Sequence, residues 1–504
     1  MTFSGRHLAV WRGSAAGYPR QAPFDPGPDN AVYAGVEECF RLAGLDPDCA
    51  AAADWNPLGD WIAPGETVLL KPNWVKAEHP RETLLDGSSW ESVVTHPSLV
   101  RAMADYCFRA VGPGGRVWVA DAPQTDSSWV LLSARLALDS LEEHYRRRGL
   151  DFSLMDLRKE EWRAEAGVIV ERRQLPGDPL GYTAFDLGGA SEFARHHGEG
   201  RYYGADYDER EVNRHHSGGR HEYLLARSAV AADAVISMPK LKTHKKTGIT
   251  AGLKNLVGVN GDKNWLPHHT ECGWSLPGDE RPVDGRWGSA CRIAERTAVR
   301  WLRRASLRWP GLAPVLHQRA RSLGTGVFGD TESVIRSGNW AGNDTCWRMC
   351  LDLNKLVFYG RPDGSLRRPG GAARKRYFVL ADGWVAGEGS GPMNPDPVDA
   401  RLLLFGAHPA TADAGAAVLM GFDPDRIPLV RQSFRVEHFR LAEWDWRDIE
   451  VVSNVAAWSR PLAEIDPGSV LAFRPHFGWQ GRMERTAGPE PAGRPRRRER
   501  ARLA

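Results

Sequence analysis

The fold is decided by three consecutive segments of the chain: ETVLLKPNW (residues 66–74), THPSLVRAMADYCFRAV (95–111) and GGRVWVADAP (114–123). The first and third are short, nearly continuous apolar runs that follow glycine turns, which is typical of strands covered on both faces of a sheet. The middle segment predicts a helix with Thr95 as its N-cap and Pro97 in its first turn. A strand, a helix and a strand in this order indicate a parallel βαβ unit.

Two later segments predict further strands of the same sheet: ADAVISMPK (232–240) and RKRYFVLADGW (374–384). All four strands stop at polar residues, and the last is expected to end at Asp382. We therefore predict an α/β fold, with a mostly parallel sheet flanked by helices and a large insertion or second lobe. In such sheets the ligand crevice lies beyond the carboxyl ends of the strands, so these polar ends should line one crevice.

The chain of 504 residues is too long for one small core. We predict a main α/β domain over 1–270, an Arg- and Trp-rich helical insertion or lid over 271–345, completion of the core over 346–482 and a disordered basic tail over 483–504. Within the insertion, residues 290–309 place apolar residues at helical spacing and arginines on the opposite side. This amphipathic helix indicates a lid packed on the main domain or, less favoured, a surface for anionic lipid.

The stretch PKLKTHKKTGITAGLKNLVGVNGDKNWLPHHT (239–270) concentrates positive charge. It holds six lysines, three histidines and one acid in a chain whose formal net charge is only +3. It starts at a predicted strand end and runs into a short predicted helix, and both ammonium groups and free backbone N–H groups attract anions. We predict an anion-binding crevice whose substrate-binding residues are Lys71, Asn73, Lys240, Lys242, Lys254 and Asn255. For Lys245 and Lys246 a solvated surface position is the alternative.

Candidate catalytic groups are expected in the same crevice. His244 is close in sequence to the lysines of the strand end, and an imidazole with its ordinary pKa of about 6.5 can move protons near neutral pH. Asp121 and Glu388 lie at or beyond strand ends, where carboxylates act as acids and bases. Turn and capping chemistry is the alternative explanation for these two acids.

A metal site would need ligands from separated segments. The candidates are His216, His268, His269 and Asp382. Since no zinc-like spacing occurs within one segment, hydrogen bonding of the imidazoles to substrate or backbone is favoured, and a divalent metal stays an alternative.

The seven cysteines are odd in number and scattered, which fits a reducing cytoplasm and argues against an iron–sulfur cluster.

Several motifs together resemble the domain of unknown function 362 family: PKLKTHKKTGITAGLKNLVG (239–258), LLKPNWV (69–75) and EGSGP (388–392). The similarity extends over roughly residues 8–482, and the first motif is highly specific. The resemblance implies an α/β fold and a shared site, but it names no reaction. Many relatives carry an appended ferredoxin-like iron–sulfur segment; its cysteine array is missing here, so the resemblance implies no such cofactor for this chain.

The sequence disfavours several enzyme classes. It has no G-x-G-x-x-G, no phosphate-binding P-loop and no G-x-S-x-G elbow. We expect a cytoplasmic enzyme that acts on an anionic, hydroxyl-rich small molecule, such as a carboxylated or phosphorylated sugar or a hydroxy acid, by proton transfer of the isomerase, epimerase or lyase type. The alternatives are a non-catalytic anion- or membrane-surface-binding assembly factor and a metal-dependent redox or transfer enzyme.

The sequence also limits which partners we expect. No apolar run reaches the roughly 18 residues of a membrane span, so any membrane contact would be through 290–309, and we expect no nucleic-acid partner. The oligomeric state is left open.

Overall fold

The computed structural model describes residues 3–52, 54–82, 89–165, 168–206, 208–273, 276–282, 334–368 and 375–485. The arginine-rich helix predicted over 290–309, most of the insertion predicted over 271–345 and the predicted basic tail beyond 485 lie outside these residues. The predictions for them therefore stay predictions.

The helices and strands of the described residues are as follows. The strands are β1 (His7–Arg12), β2 (Thr67–Pro72), β3 (Arg116–Asp121), β4 (Asp151–Asp156), β5 (Glu160–Glu165), β6 (Val168–Gln174), β7 (Tyr182–Asp186), β8 (Tyr202–Gly204), β9 (Glu222–Ala226), β10 (Ala234–Met238), β11 (Lys240–His244), β12 (Gly248–Thr250), β13 (Pro267–Thr270), β14 (Arg376–Ser390), β15 (Asn394–Gly406) and β16 (Glu450–Ser453). The α-helices are α1 (Ala31–Leu42), α2 (Pro97–Val111), α3 (Trp129–Leu136), α4 (Leu138–Arg147), α5 (Glu209–His215), α6 (Arg227–Ala231), α7 (Gly252–Asn255), α8 (Cys346–Tyr359), α9 (Pro409–Leu419) and α10 (Pro428–Ser433).

One large mixed sheet organises the chain, with the strand order β16-β1-β15-β14-β10-β2-β3-β4. From β14 to β4 all neighbours are parallel, whereas β15 runs antiparallel to both β14 and β1. β11 continues the parallel pairing beside β14 and forms an antiparallel pair with β12. The predicted α/β class, with a mostly parallel sheet flanked by helices, is confirmed.

The predicted βαβ unit is present as β2, α2 and β3, but the predicted N-cap of its helix was wrong. The imidazole of His96 caps α2 by accepting from the backbone N–H of Ser98. The hydroxyl of Thr95 instead donates to the carbonyl of Met238 at 2.6 Å and accepts from the backbone N–H of Asn73 at 2.9 Å. Thr95 therefore ties the end of β2 to the end of β10, beside the crevice.

The strand predicted to end at Asp382 was too short. β14 continues to Ser390 and then turns into β15, and the pair is in register from Val379–Gly406 to Ser390–Asn394. Asp382 lies in the middle of this strand and is fully buried. In the sequence, a polar residue inside an apolar run looks like a strand end, whereas in the structure Asp382 is a buried ion-pair partner of Lys240.

The core lies on both faces of the sheet, because successive side chains of a strand point to opposite faces. Leu69 and Val235 belong to the cluster that packs with α8 and α9. Leu70 and Ile236, their neighbours in sequence, belong to the cluster that packs with α1 and α2. Within the part of the chain that the structure describes, no helix has the length and apolarity needed to cross a bilayer.

Candidate functional site

A cavity of about 290 Å³ opens beyond the carboxyl ends of β2 and β3 and beside β11. Its lining is dominated by cationic and imidazole side chains: Lys242, Lys245, Lys246, Lys254, Lys263, His244 and His268. It includes three carboxylates: Asp121, Asp126 and Asp206. The cavity lies where the strand-end argument placed the crevice, and we call it the lysine pocket.

Two of the three carboxylates are already engaged by lysines outside the lining. Asp121 forms an ion pair with Lys71 at 2.8 Å, and both side chains are buried. Asp126 pairs with Lys76 at 2.8 Å. These ion pairs therefore reduce the negative charge that could offset the lysines lining the pocket, and Asp206 is the lining carboxylate without a lysine partner in the described residues.

Lys242 lies in this pocket without a carboxylate partner. Its ammonium group donates to the backbone carbonyl of Val93, and the side chain is fully buried. Burial, together with the nearby charges of Lys240 and Lys254, holds the pKa of Lys242 well below its ordinary value. A bound anion would relieve this unfavourable charge density.

α7 brings Lys254 and Asn255 to the pocket. In the described residues, Lys254 makes no ion pair and no side-chain hydrogen bond, although it is only 8% exposed. Asn255 is held by its amide N–H groups, which donate to the carbonyl of Lys71 at 2.8 Å and to the hydroxyl of Ser237 at 2.9 Å. Lys254 therefore presents, from α7, a cation that has no partner in the described residues.

His244 and His268 enter the pocket with opposite hydrogen-bonding patterns. Nδ1 of His244 accepts from the backbone N–H groups of Lys246 at 3.0 Å and Thr247 at 3.2 Å. Nδ1 of His268 lies 3.1 Å from the carbonyl oxygen of Leu266. Burial and neighbouring lysines, Lys254 above all, hold the pKa of both imidazoles well below the ordinary value.

Two polar atoms beside the pocket lack partners in the described residues. They are Oγ1 of Thr250 and Oδ1 of Asn73, and both atoms are buried in residues that line the pocket. A buried polar atom without a hydrogen bond costs about 1–3 kcal/mol. These atoms are therefore suited to hydroxyl groups of a ligand, which can both donate and accept.

The pocket also contains titratable residues that the sequence did not single out. Asp206 accepts a hydrogen bond from the hydroxyl of Thr125 at 2.8 Å, and burial raises its pKa to about 6. Lys263 donates to the carbonyl of Val257 at 3.1 Å, and burial lowers its pKa to about 8. Lys263 lies in the lysine-rich stretch and could have been proposed, whereas nothing in the sequence around Asp206 points to this pocket.

Several residues predicted for the site lie elsewhere. Lys240 is buried against Asp382, with Nζ 2.7 Å from Oδ2, and also donates to the hydroxyl of Tyr18 at 2.6 Å. The register between β11 and β14 shifts between Lys240 and Lys242, and the two ammonium groups have different partners. Glu388 accepts from the backbone N–H of Arg474 at 2.8 Å and does not line the pocket. Lys71 lies behind the pocket wall, where it holds Asp121 in place.

The predicted metal candidates do not come together. His216 lies 2.9 Å from the carbonyl of Trp265, and burial lowers its pKa to about 3. The ring of His269 stacks on Tyr203 at 4.8 Å, and His268 lines the pocket. In the described ranges no three histidine, cysteine or acidic side chains are grouped as a metal site would require.

The sequence of this chain is similar to one protein family and to one protein from a cyanobacterial strain. The sequence model of the family described as Domain of unknown function (DUF362) matches residues 182–418, so the resemblance drawn from the motifs is confirmed over this range. The chain is also similar to Thylakoid-associated protein sll1697 from Synechocystis sp. (strain ATCC 27184 / PCC 6803 / Kazusa), with 24% identity over 216 residues. The alignment covers 43% of this chain and 46% of that protein, so the chain spans about half the length of the relative that it matches. Neither description names a reaction, and the predicted cytoplasmic localisation stays a prediction.

Proposed function

We propose that the lysine pocket binds a small anionic, hydroxylated molecule, such as a carboxylated or phosphorylated sugar or a hydroxy acid, and that the protein acts on it by proton transfer as an isomerase, epimerase or lyase. The observation that carries the proposal is the unbalanced charge. Lys242 and Lys254 are buried side chains that line one cavity, and neither forms an ion pair in the described residues. Leaving a buried ammonium group uncompensated costs several kcal/mol, which a bound anion would offset.

The size of the cavity supports a small molecule. Its volume is about 290 Å³. It is at the lower end of the range typical of ligand pockets, roughly 300–1,000 Å³. This volume suits a sugar phosphate or a hydroxy acid.

The neutral polar groups support hydroxyl substituents on the anion. Asn73 and Thr250 offer buried oxygen atoms without partners in the described part of the chain. Asp206 adds a carboxyl group whose pKa is raised to about 6 by burial, so it can exchange a proton near neutral pH. The pocket therefore offers lysine ammonium groups together with oxygen atoms that lack partners in the described residues. This combination suits a ligand that carries both a negative charge and hydroxyl groups.

Calorimetric titration tests the proposal. Inorganic phosphate, a hexose phosphate, a hexuronate and a hydroxy acid are titrated separately into the native chain and into Lys254→Met. Because a charge-assisted hydrogen bond contributes about 1.5–3 kcal/mol, we expect the variant to bind about 10- to 100-fold more weakly.

Lys159→Met is the matched control, since Lys159 is a half-exposed lysine that does not line the pocket. It should bind like the native chain. If none of the four compounds binds the native chain, or if both variants bind equally well, the proposal is wrong.

A further inference from the structure

The backbone fixes the two histidines of the lysine pocket in opposite tautomers. Nδ1 of His244 accepts two backbone N–H groups, so it carries no hydrogen and the neutral ring holds its hydrogen at Nε2. The carbonyl of Leu266 beside Nδ1 of His268 can only accept, so in that ring Nδ1 carries the hydrogen. Nε2 of His268 therefore has a free lone pair, and in the described residues neither Nε2 atom makes a hydrogen bond.

We propose that His268 is the catalytic residue that accepts a proton from the substrate, and that His244 is a fixed hydrogen-bond donor to a substrate oxygen. The proposal rests on the proposed function. It narrows the substrate to an anion with an acidic C–H bond next to a carbonyl or carboxylate group. It also reverses the sequence prediction, in which His244 moved the proton.

The proposed step is balanced within the pocket. The C–H bond of the substrate breaks, and an N–H bond forms at Nε2 of His268. The electron pair left on carbon moves onto the neighbouring oxygen, where the N–H group of His244 and the ammonium group of Lys254 stabilise the negative charge. No oxidant or reductant is needed.

The positive charges around His268 make its pKa depend on whether an anionic ligand is bound. Lys254 of α7, Lys246 of the loop after β11, Lys263 of the turn before β13 and the imidazole of His244 surround it. Burial and these cations hold its pKa well below the ordinary value, so the ring is neutral at neutral pH. A bound anion would offset the lysine charges and raise the pKa of His268, which makes it a stronger base when the substrate is present.

Modification with diethyl pyrocarbonate tests the assignment, because the reagent acylates an imidazole ring only at a nitrogen with a free lone pair. The full chain is treated at pH 7 and at about pH 5.5, where ordinary imidazoles are mostly protonated, and adducts are located by peptide mass spectrometry. We expect His268 to be modified to a similar extent at both pH values and His244 to stay unmodified. Exposed His197 reports the activity of the reagent, and His268→Gln confirms which adduct is which.

The outcomes separate this inference from the proposed function. Modification of His244 without His268, or loss of the His268 adduct at the lower pH, overturns the inference. We expect added phosphate or hexose phosphate to protect His268. If His268 reacts as described and none of the anions protects it, the tautomer assignment holds and the proposed anion pocket is wrong.

Discussion

Buried lysines of this protein fall into two groups according to whether a carboxylate compensates them. Lys71 and Lys240 are fully buried, and each forms an ion pair, with Asp121 at 2.8 Å and with Asp382 at 2.7 Å. Lys242 is equally buried and has only a backbone carbonyl as partner in the described residues. Because the sequence shows the same lysine at each position, only the fold separates the structural lysines from those available to a ligand.

A buried carboxyl group, that of Asp413, gives a pH-dependent prediction. Asp413 lies in α9, is fully buried, and accepts from the backbone N–H of Leu253 at 3.1 Å through Oδ1. Oδ2 has no partner in the described part of the chain, and burial raises the pKa of Asp413 to about 8. The folded protein therefore holds this proton up to about pH 8, whereas an unfolded chain releases it near pH 3.9.

The sign of the effect on stability follows from these two values. Between about pH 4 and pH 8 the unfolded state binds fewer protons at Asp413 than the folded state, so its contribution to stability falls as the pH rises, by at most about 1.4 kcal/mol per pH unit. Asp413→Asn keeps the acceptor for Leu253 and removes the titration. We expect the variant to unfold at a higher temperature than the native chain at pH 8, with a difference that shrinks towards pH 4.

Thermal unfolding followed by circular dichroism across this range measures the difference. Asp139→Asn is the control, because Asp139 is exposed in the first turn of α4, and it should show no comparable trend. A stability difference for Asp413→Asn that grows as the pH falls would contradict the assignment.

At the scale of the elements, the short segment from α7 to Gly258 shapes the wall of the lysine pocket. A Cβ atom on Gly258 would lie 2.0 Å from Oδ1 of Asp121 and 2.6 Å from Nζ of Lys71. The carbonyl of Gly258 also accepts from the backbone N–H of Ala122 at 2.8 Å. The segment can approach the end of β3 this closely only because residue 258 has no side chain.

Gly258→Ala is therefore expected to separate the segment from the ion pair of Lys71 and Asp121. Overpacking of this kind costs about 1–3 kcal/mol, and anion binding should weaken because Lys254 moves with the segment. Chemical denaturation and phosphate titration measure the two effects. Gly189→Ala is the control, since nothing lies within 4 Å of a Cβ atom there; equal behaviour of the two variants would refute the packing argument.

The regular elements were predictable because their signals are local. The apolar runs of β2, β3 and β10 and the helical spacing of α2 are each contained in a few consecutive residues. The course of β14 was not predictable, because Asp382 is stabilised inside the strand by Lys240 and Tyr18, which lie 142 and 364 residues away in the sequence. A buried ion pair made by distant residues looks, in sequence, like the polar end of a strand.

At the scale of the whole molecule, the pocket collects residues from separate parts of the chain. Asn73 and Asp121 come from the first βαβ unit, Lys242 and His244 from β11, and Asp206 from the segment after β8. The strand-end rule predicted the meeting of the first four residues, because parallel strands deliver their carboxyl ends to one edge. It could not predict Asp206, which reaches the pocket from outside the central sheet. Lys240 and Glu388, which it also included, do not line the pocket.

The lysine pocket concentrates positive charge in a chain that is nearly balanced overall. The formal net charge of +3 is small for 504 residues, yet five lysines line one cavity of about 290 Å³. A cavity with low-dielectric walls focuses the field of these cations and draws in anions, and the attraction weakens with added salt. The pocket is therefore a local concentration of positive charge in a chain whose charges are nearly balanced overall.

The central claim is that an anion binds between these lysines, and a crystal structure with tungstate tests it most directly, since tungstate mimics phosphate and scatters anomalously. We expect one dominant anomalous peak inside the lysine pocket, from a tungstate ion whose oxygens lie within about 3 Å of Nζ of Lys254 and of Nε2 of His244. In crystals of Lys254→Met this peak should be weak or missing. Anomalous peaks confined to exposed arginines, with the pocket unoccupied at saturating tungstate, would contradict the account.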